Sequence, residues 1–189
     1  LRLGVYGLGV IGRAFIDLVT ALKPELHGYD PYCKPWPRKV RRLDTLDDLF
    51  GAADAVVITA ALTDETRRSV TAGHLARLPD GGVVINVGRG AIIDQEALFR
   101  ELETGRLRAG LDVLDSNGRD FVEPDHPARQ WPNLILSAHV IGGSNWNRSL
   151  YNTSGLLPHH EVCLDNLRLF VEGKPLRNAF DLDRYDRST

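Results

Sequence analysis

Short apolar runs alternate with amphipathic stretches along this chain. The alternation predicts an α/β fold, a doubly wound parallel sheet with helices on both faces. Strand-like runs fall at 2–6, 26–30, 55–59, 82–87, 107–113 and 134–138, with helical patterns near 10–22, 44–51, 63–78 and 94–104 between them. The runs are short and apolar almost throughout, as strands covered on both sides are. Gly7, Gly9 and Gly12 form a Gly-x-Gly-x-x-Gly sequence between the first run and the first helical pattern, where a sharp strand-to-helix turn belongs.

Taken in order, the first run gives way to Gly7, which allows the turn. Gly9 lets a pyrophosphate approach bare backbone, and Gly12 lets the helix pack close to the sheet. The helix opens at Val10 and Ile11, where unpaired N–H groups and the positive end of the dipole suit phosphate. His27-Gly28-Tyr29-Asp30 closes the second run. Asp30 there can accept hydrogen bonds from a ribose, and its charge repels a 2′-phosphate, which favours NAD over NADP. The setting points to a Rossmann-type dinucleotide cradle, the alternative being an ordinary glycine turn.

Pro79-Asp80-Gly81-Gly82 punctuates the step into the fourth run. In a doubly wound sheet the ligand lies at the carboxyl ends of the strands. The glycine turn, Asp30, the 59–63 loop, the 87–90 loop, Asp112 and His139 all follow strands directly, so they should converge on one edge. From Ser144 to Pro158 the pattern dissolves into Ser, Asn and Gly, with Trp146 and Tyr151. A last helix is expected over 159–172, carrying Val162, Leu164, Leu167, Phe170 and Val171, and Glu172-Gly173-Lys174-Pro175 stops it. The expected division is a cofactor domain over 1–145 and a C-terminal loop, helix and tail over 146–189.

A chain of 189 residues holds one sizeable core or one domain with an appendage. A net charge of −2 gives no general attraction to nucleic acid or anionic membrane, so neither is expected as a partner. No apolar run approaches a membrane span, and no signal peptide is visible. Two cysteines, Cys33 and Cys163, suggest no disulfide framework and point to a reducing, cytoplasmic setting. The sequons at Asn147 and Asn152 carry no meaning without secretion. The chain starts at Leu1, has no methionine and enters its first strand at once. It is therefore expected to be a fragment, a processed chain or one with an unusual start.

Four further segments follow in order: Ala61-Leu62-Thr63-Asp64-Glu65-Thr66, Ile85-Asn86-Val87-Gly88-Arg89-Gly90, Leu111-Asp112-Val113 and Ala138-His139-Val140-Ile141-Gly142-Gly143. Together with the glycine turn they resemble the D-isomer-specific 2-hydroxyacid dehydrogenases, the group that includes the D-3-phosphoglycerate dehydrogenases, over residues 2 to about 143. The resemblance implies an NAD-dependent oxidoreductase that moves a hydride between NAD(H) and a D-2-hydroxyacid or 2-keto acid. By position, Arg89 matches the arginine that grips the substrate carboxylate, and His139 the acid/base histidine. Asp112 matches the acid that holds the nicotinamide carboxamide. Gly7, Gly9, Gly12 and Asp30 match the pyrophosphate and ribose contacts, the 59–63 loop with Thr59, Ala60 and Ala61 matches a wall of the cofactor cleft, and Val10, Ile11, Val87, Gly88 and Gly142 are further cofactor-binding positions. No metal is implied.

These residue types suit the chemistry. A guanidinium is permanently charged and forks onto a carboxylate. An imidazole holds or releases a proton near neutral pH. Plainer alternatives stand beside them: Arg89 as a surface arginine, His139 as a strand cap, Asp112 as a turn former. His126 is read as a loop residue, His74 as part of an exposed helix face, and Trp36 and Trp131 as packing anchors. His159, His160 and Cys163 have metal-like spacing but no fourth ligand, so they are read as a solvated helix start. Arg38, Lys39, Arg41 and Arg42 are read as a solvated basic face, with nucleic acid or a 2′-phosphate as other uses.

Departures from the family pattern matter too. The family often has proline where this chain has Ala61. It pairs its histidine with a glutamate a few residues past the Leu-Asp-Val strand, where this chain has Asn117-Gly118. Glu123, ahead of Pro124, is taken as the replacement, with Asp115 and Asn117 as alternatives. A carboxylate partner would stabilise the imidazolium, and asparagine would fix only the tautomer. The family's separate substrate domain has no counterpart in this sequence, so weak or absent turnover is expected of the chain alone. A homodimer is expected by analogy. The rival reading is a non-catalytic, NAD-responsive binding protein of the corepressor kind. Another Rossmann dehydrogenase class is disfavoured by the order of Arg89 and His139.

Overall fold

A computed structural model describes residues 1–115, 122–137, 139, 158–177 and 179, the first three residues of the last stretch by backbone alone. The elements run β1 (Arg2–Tyr6), α1 (Val10–Val19), β2 (Glu25–Tyr29), β3 (Arg41–Arg42), α2 (Leu46–Ala52), β4 (Ala55–Ile58), α3 (Ala72–Arg77), β5 (Val83–Asn86), α4 (Gln95–Glu103), β6 (Arg108–Leu111), β7 (Leu134–Leu136) and α5 (Pro158–Val171). The strands form one sheet in the order β3-β2-β1-β4-β5-β6-β7, every pair parallel. The chain leaves β1 for β2 and β3, then crosses back to β4 on the other side. Strand order therefore reverses between β1 and β4, where a doubly wound sheet opens its crevice.

The period of two along each strand divides the core between the faces. Leu3, Val5, Ala55 and Val57 join Leu8, Ile16 and Leu26 beneath α1. Tyr6, Val56, Ile58 and Val84 join Leu49, Phe50, Leu75, Leu98 and Leu102 from α2, α3 and α4. Both faces are thus buried, and the strands are short because each need only cross this core. Polar side chains set the helix starts. Thr45 accepts the Asp48 N–H at 3.0 Å to begin α2, and Asp94 accepts the Ala97 N–H at 3.0 Å to begin α4.

Several expected bounds shift. The helix expected over 10–22 is α-helical to Val19 and tightens into a 3-10 turn over Thr20–Leu22. The pattern over 63–78 yields only α3, a larger correction. Thr63 and Thr66 satisfy each other's N–H through their hydroxyls, at 2.7 and 3.2 Å, and Thr66 donates to the Ala61 carbonyl at 2.7 Å. Such local bonds compete with a helix, and Val70 then bridges to Ile93 in parallel. The basic run contributes the edge strand β3, whose two arginines pair with His27 and Gly28.

His74 is not on an exposed face: its side chain is 18% exposed and its ring lies 5.7 Å from Phe50. Trp36 donates to the Val40 carbonyl at 2.8 Å beneath Arg42, and Trp131 packs edge-on to Phe99. His126 caps a 3-10 turn over Pro127–Gln130 by accepting the Ala128 N–H.

By contact density, residues 1–139 make one compact unit and residues 140–188 another. In the second, Arg177 bonds the body of α5, its N–H and carbonyl meeting the Asn166 amide at 2.8 and 3.0 Å. The first two members of the His159, His160 and Cys163 trio have no described side chains, and Cys163 is exposed. Asn117, Gly142, Trp146, Tyr151 and the 181–189 tail lie outside the described residues. No helix among the described residues is long and apolar enough to cross a membrane.

Candidate functional site

The strand register places the candidate residues in a row. Tyr6 is level with Tyr29 and Ile58, Ile58 with Asn86, Asn86 with Leu111, and Leu111 with Leu136. The next residues are Gly7, Asp30, Thr59, Val87, Asp112 and Ser137. All six leave the sheet at its carboxyl edge, with neighbouring strands about 4.8 Å apart.

The three glycines differ in what surrounds them. Gly7 has φ +91° and lies so close to Ala60 that a Cβ would meet its backbone at 2.6 Å. At Gly12 a Cβ would stand 2.2 Å from the Gly7 carbonyl oxygen. At Gly9, the residue that caps α1, a Cβ would meet nothing within 4 Å. The turn is therefore packed tightly from below and open above. Beside that open space, Val10 and Ile11 are 84% and 58% exposed. An open bare backbone at a helix start fits a diphosphate.

Asp30 is built into the turn. One of its carboxylate oxygens accepts the Leu8 N–H at 2.7 Å, and the other accepts the Tyr32 N–H at 2.8 Å. The acid at the end of β2 and the glycine turn after β1 are thereby a single hydrogen-bonded piece. Arg13 extends it, donating to the Leu8 carbonyl at 3.0 Å and to Cys33 Sγ at 3.0 Å. Burial pushes the Cys33 thiol up, which keeps it protonated.

The loops after β4 and β5 pack without side chains between them. Thr59 donates to the Gly7 carbonyl at 2.6 Å. The Ala60 backbone is pressed on one side by Gly7 and on the other by Gly88, where a Cβ would come within 2.6 Å of the Ala60 carbonyl oxygen. Asn86 is buried and closes the next turn, accepting the Gly88 N–H at 3.0 Å and donating to the Arg89 carbonyl at 2.9 Å. That turn leaves the Arg89 side chain exposed, with Nη1 donating to the Gly88 carbonyl at 2.8 Å. Ala61 and Val87 are half-buried on the same loops.

Asp112 is 8% exposed, and its Oδ1 accepts the Ser137 hydroxyl at 2.7 Å. Its carbonyl accepts the His139 N–H at 2.7 Å, with His139 exposed at φ 59°. Glu123 is exposed, and its carbonyl accepts the His126 N–H at 3.0 Å and Arg129 Nε at 2.9 Å. Asp115 is exposed, its N–H donating to Gln95 at 2.7 Å.

Three contributors were not foreseen. Leu8 supplies the N–H that seats Asp30, Asn86 shapes the Arg89 turn, and Ser137 fixes Asp112. Asn86 had a signal, since an asparagine two residues before a glycine after a strand commonly closes a turn through its side chain. Leu8 and Ser137 had none, because their partners lie on other strands.

Residues 1–140 match the sequence model of the D-isomer specific 2-hydroxyacid dehydrogenase, NAD binding domain. The D-3-phosphoglycerate dehydrogenase of Archaeoglobus fulgidus is 26% identical over 187 residues, 98% of this chain and 34% of that protein. That of Methanocaldococcus jannaschii is 32% identical over 146 residues, 72% of this chain and 26% of that protein. The chain thus spans about a third or less of these two relatives. Among solved structures, a D-isomer specific 2-hydroxyacid dehydrogenase from Xanthobacter autotrophicus Py2, in complex with NADPH and MES, superposes with a TM-score of 0.77 at 26% identity, covering 97% of this chain and 72% of that one.

Proposed function

The chain belongs to the D-isomer-specific 2-hydroxyacid dehydrogenases through their NAD-binding domain, and from that premise we propose that it is the cofactor-holding part of an oxidoreductase acting on a D-2-hydroxyacid or its 2-keto acid. In this reading residues 1–145 are the cofactor domain and 146–189 a C-terminal loop, helix and tail. The observation that carries the proposal is the join between Asp30 and the glycine turn, which places an acid beside an open, bare helix start. Such an acid takes a ribose and repels a 2′-phosphate, so NAD is preferred to NADP.

When bound, the nicotinamide supplies the site that gives or takes the hydride. The rest falls to side chains of this chain. The N–H groups at the start of α1 hold the diphosphate. Arg89 forks onto the substrate carboxylate and orients the adjacent carbon. His139 holds or moves the proton at the substrate's C2 oxygen, with Glu123 as its carboxylate partner. Asp112 would accept from the carboxamide. Closure against a substrate domain would exclude water and complete the carboxylate site, so the chain alone turns over weakly or not at all.

Titration with NADH tests the cofactor reading, and steady-state assays with several 2-keto acids test the rest. Saturable NADH binding with little turnover is expected. An unchanged melting temperature and fluorescence at millimolar NADH would overturn the first part, and robust turnover by this chain the second.

A further inference from the structure

We propose that Ser137 is a positioning residue, whose hydroxyl fixes the Asp112 carboxylate in the orientation that receives the carboxamide of a bound nicotinamide. The inference rests on the role of Asp112 given above and adds the group that makes it work.

The main chain of Asp112 is held on both sides, its N–H donating to the Asn86 carbonyl at 3.0 Å and its carbonyl accepting the His139 N–H at 2.7 Å. Its side-chain torsions remain. The outer torsion of a carboxylate is broad and roughly two-fold, so backbone anchoring does not choose an orientation. The Ser137 hydroxyl does, donating to Oδ1 at 2.7 Å. Ser137 is itself held by the sheet, its N–H donating to the Leu111 carbonyl at 3.1 Å. The donor is thus presented by a strand end and not by a loose loop.

The bond is of the charge-assisted kind, its acceptor being a carboxylate oxygen. A carboxylate only accepts, which is what an amide N–H₂ requires, whereas a protonated acid presents an O–H as well. Ser137 and His139 flank one residue and both join Asp112, one through its side chain and one through its backbone. Cofactor recognition and the placement of the histidine therefore share a single anchor.

Calorimetry on the intact chain separates the possibilities, with NADH and ADP-ribose as probes, the latter lacking the nicotinamide. Ser137→Ala is expected to weaken NADH about tenfold, the loss of one hydrogen bond to a charged group, with ADP-ribose unchanged. Ser137→Thr keeps the hydroxyl and restores NADH affinity. Ser137→Cys keeps the shape, weakens the donor and reports the same discrimination should the alanine variant fail to fold. Equal weakening of both probes, or no rescue by threonine, would mean a structural role only and overturn the proposal. Asp112→Ala is the control. If it weakens NADH selectively and Ser137→Ala does not, Ser137 is excluded and Asp112 stands. If it affects neither probe, the role of Asp112 fails and the inference with it.

Discussion

The main-chain N–H of His139 donates to the main-chain carbonyl of Asp112 at 2.7 Å, and His139 adopts a left-handed φ of 59° in doing so. The bond ties a residue beyond β7 to the one that follows β6. A non-glycine residue in this conformation stores strain of about 1–3 kcal/mol. Strain of that kind persists where surrounding bonds over-determine it, and here Asp112 supplies a main-chain bond on one side and a side-chain bond to Ser137 on the other. The candidate acid/base is thus aimed by backbone, whatever its ring touches.

Gly9 and Gly12 are expected to answer differently to alanine. At Gly12 the new Cβ would lie 2.2 Å from a backbone oxygen, and at Gly9 it would meet open space. Gly12→Ala should cost about 1–3 kcal/mol, as overpacking does, and lower the melting temperature. Gly9→Ala should melt with the parent yet lose NADH affinity, because its methyl would stand where the proposed diphosphate site lies. Melting curves with and without NADH check both. A Gly9→Ala chain that binds NADH normally would remove the diphosphate from this turn.

Asp30 carries two separable roles. Asp30→Ala strands the Leu8 N–H, a loss of about 1–3 kcal/mol where the donor stays dry, and should loosen the turn and weaken every dinucleotide. Asp30→Asn keeps an acceptor and removes the charge. The ratio of NADP to NAD affinity should then rise about tenfold or more, since like charges a few ångströms apart near a surface repel by more than 1.4 kcal/mol. Parallel titrations with both dinucleotides give the ratio, and an unchanged one would mean that charge does not choose the cofactor.

His74 makes α3 sensitive to acid. Its Nδ1 accepts the Thr71 N–H at 3.1 Å, which only an unprotonated nitrogen can do. Burial holds the His74 pKa below its ordinary 6.5, the nearby Asp47 opposing and Arg77 assisting. A folded pKa below the unfolded one means that the contribution is complete above pH 6.5 and is lost as pH falls through the folded value. His74→Gln keeps an acceptor in a capping box of the usual kind. It should flatten the decline of stability below pH 6.5, as followed by denaturant melts at several pH values, while His74→Ala should cost about 1 kcal/mol at neutral pH.

Legibility in the sequence followed the kind of signal each element sends. Five of the six expected strands announce themselves because burial on both faces requires continuous apolar residues, and β7 does so by its apolar run although Ile135 is exposed. β3 does not, since Arg41 and Arg42 join the sheet by backbone alone at an open edge. The helical pattern over 63–78 misleads because Thr63 and Thr66 satisfy the backbone with their own hydroxyls. The glycine turn was legible because a tight strand-to-helix turn restricts residue type at fixed spacing, and Asp30 because it follows the next strand beside it. Ser137 was not, because its meaning depends on Asp112, which lies 25 residues away in sequence and is brought beside it by the pairing of β6 and β7.

Arg68 offers a test of backbone strain at an exposed residue. It sits at φ 51°, left-handed like His139, and its N–H donates to the Ala91 carbonyl at 2.8 Å. That bond belongs to the backbone and survives any substitution that keeps the turn. The left-handed conformation costs a residue with a Cβ roughly 1–2 kcal/mol, whereas glycine adopts it freely but loses about 0.5–1 kcal/mol of extra chain entropy on folding. Arg68→Gly should therefore stabilise the chain slightly, by up to about 1 kcal/mol. Arg68→Val, β-branched and stiff, should destabilise it. Denaturant midpoints for the two variants should fall on opposite sides of the parent. A glycine variant less stable than the parent would show that the Arg68 side chain makes a contact worth more than the strain it bears, and would direct attention to the face of the 63–70 loop beside the Arg89 turn.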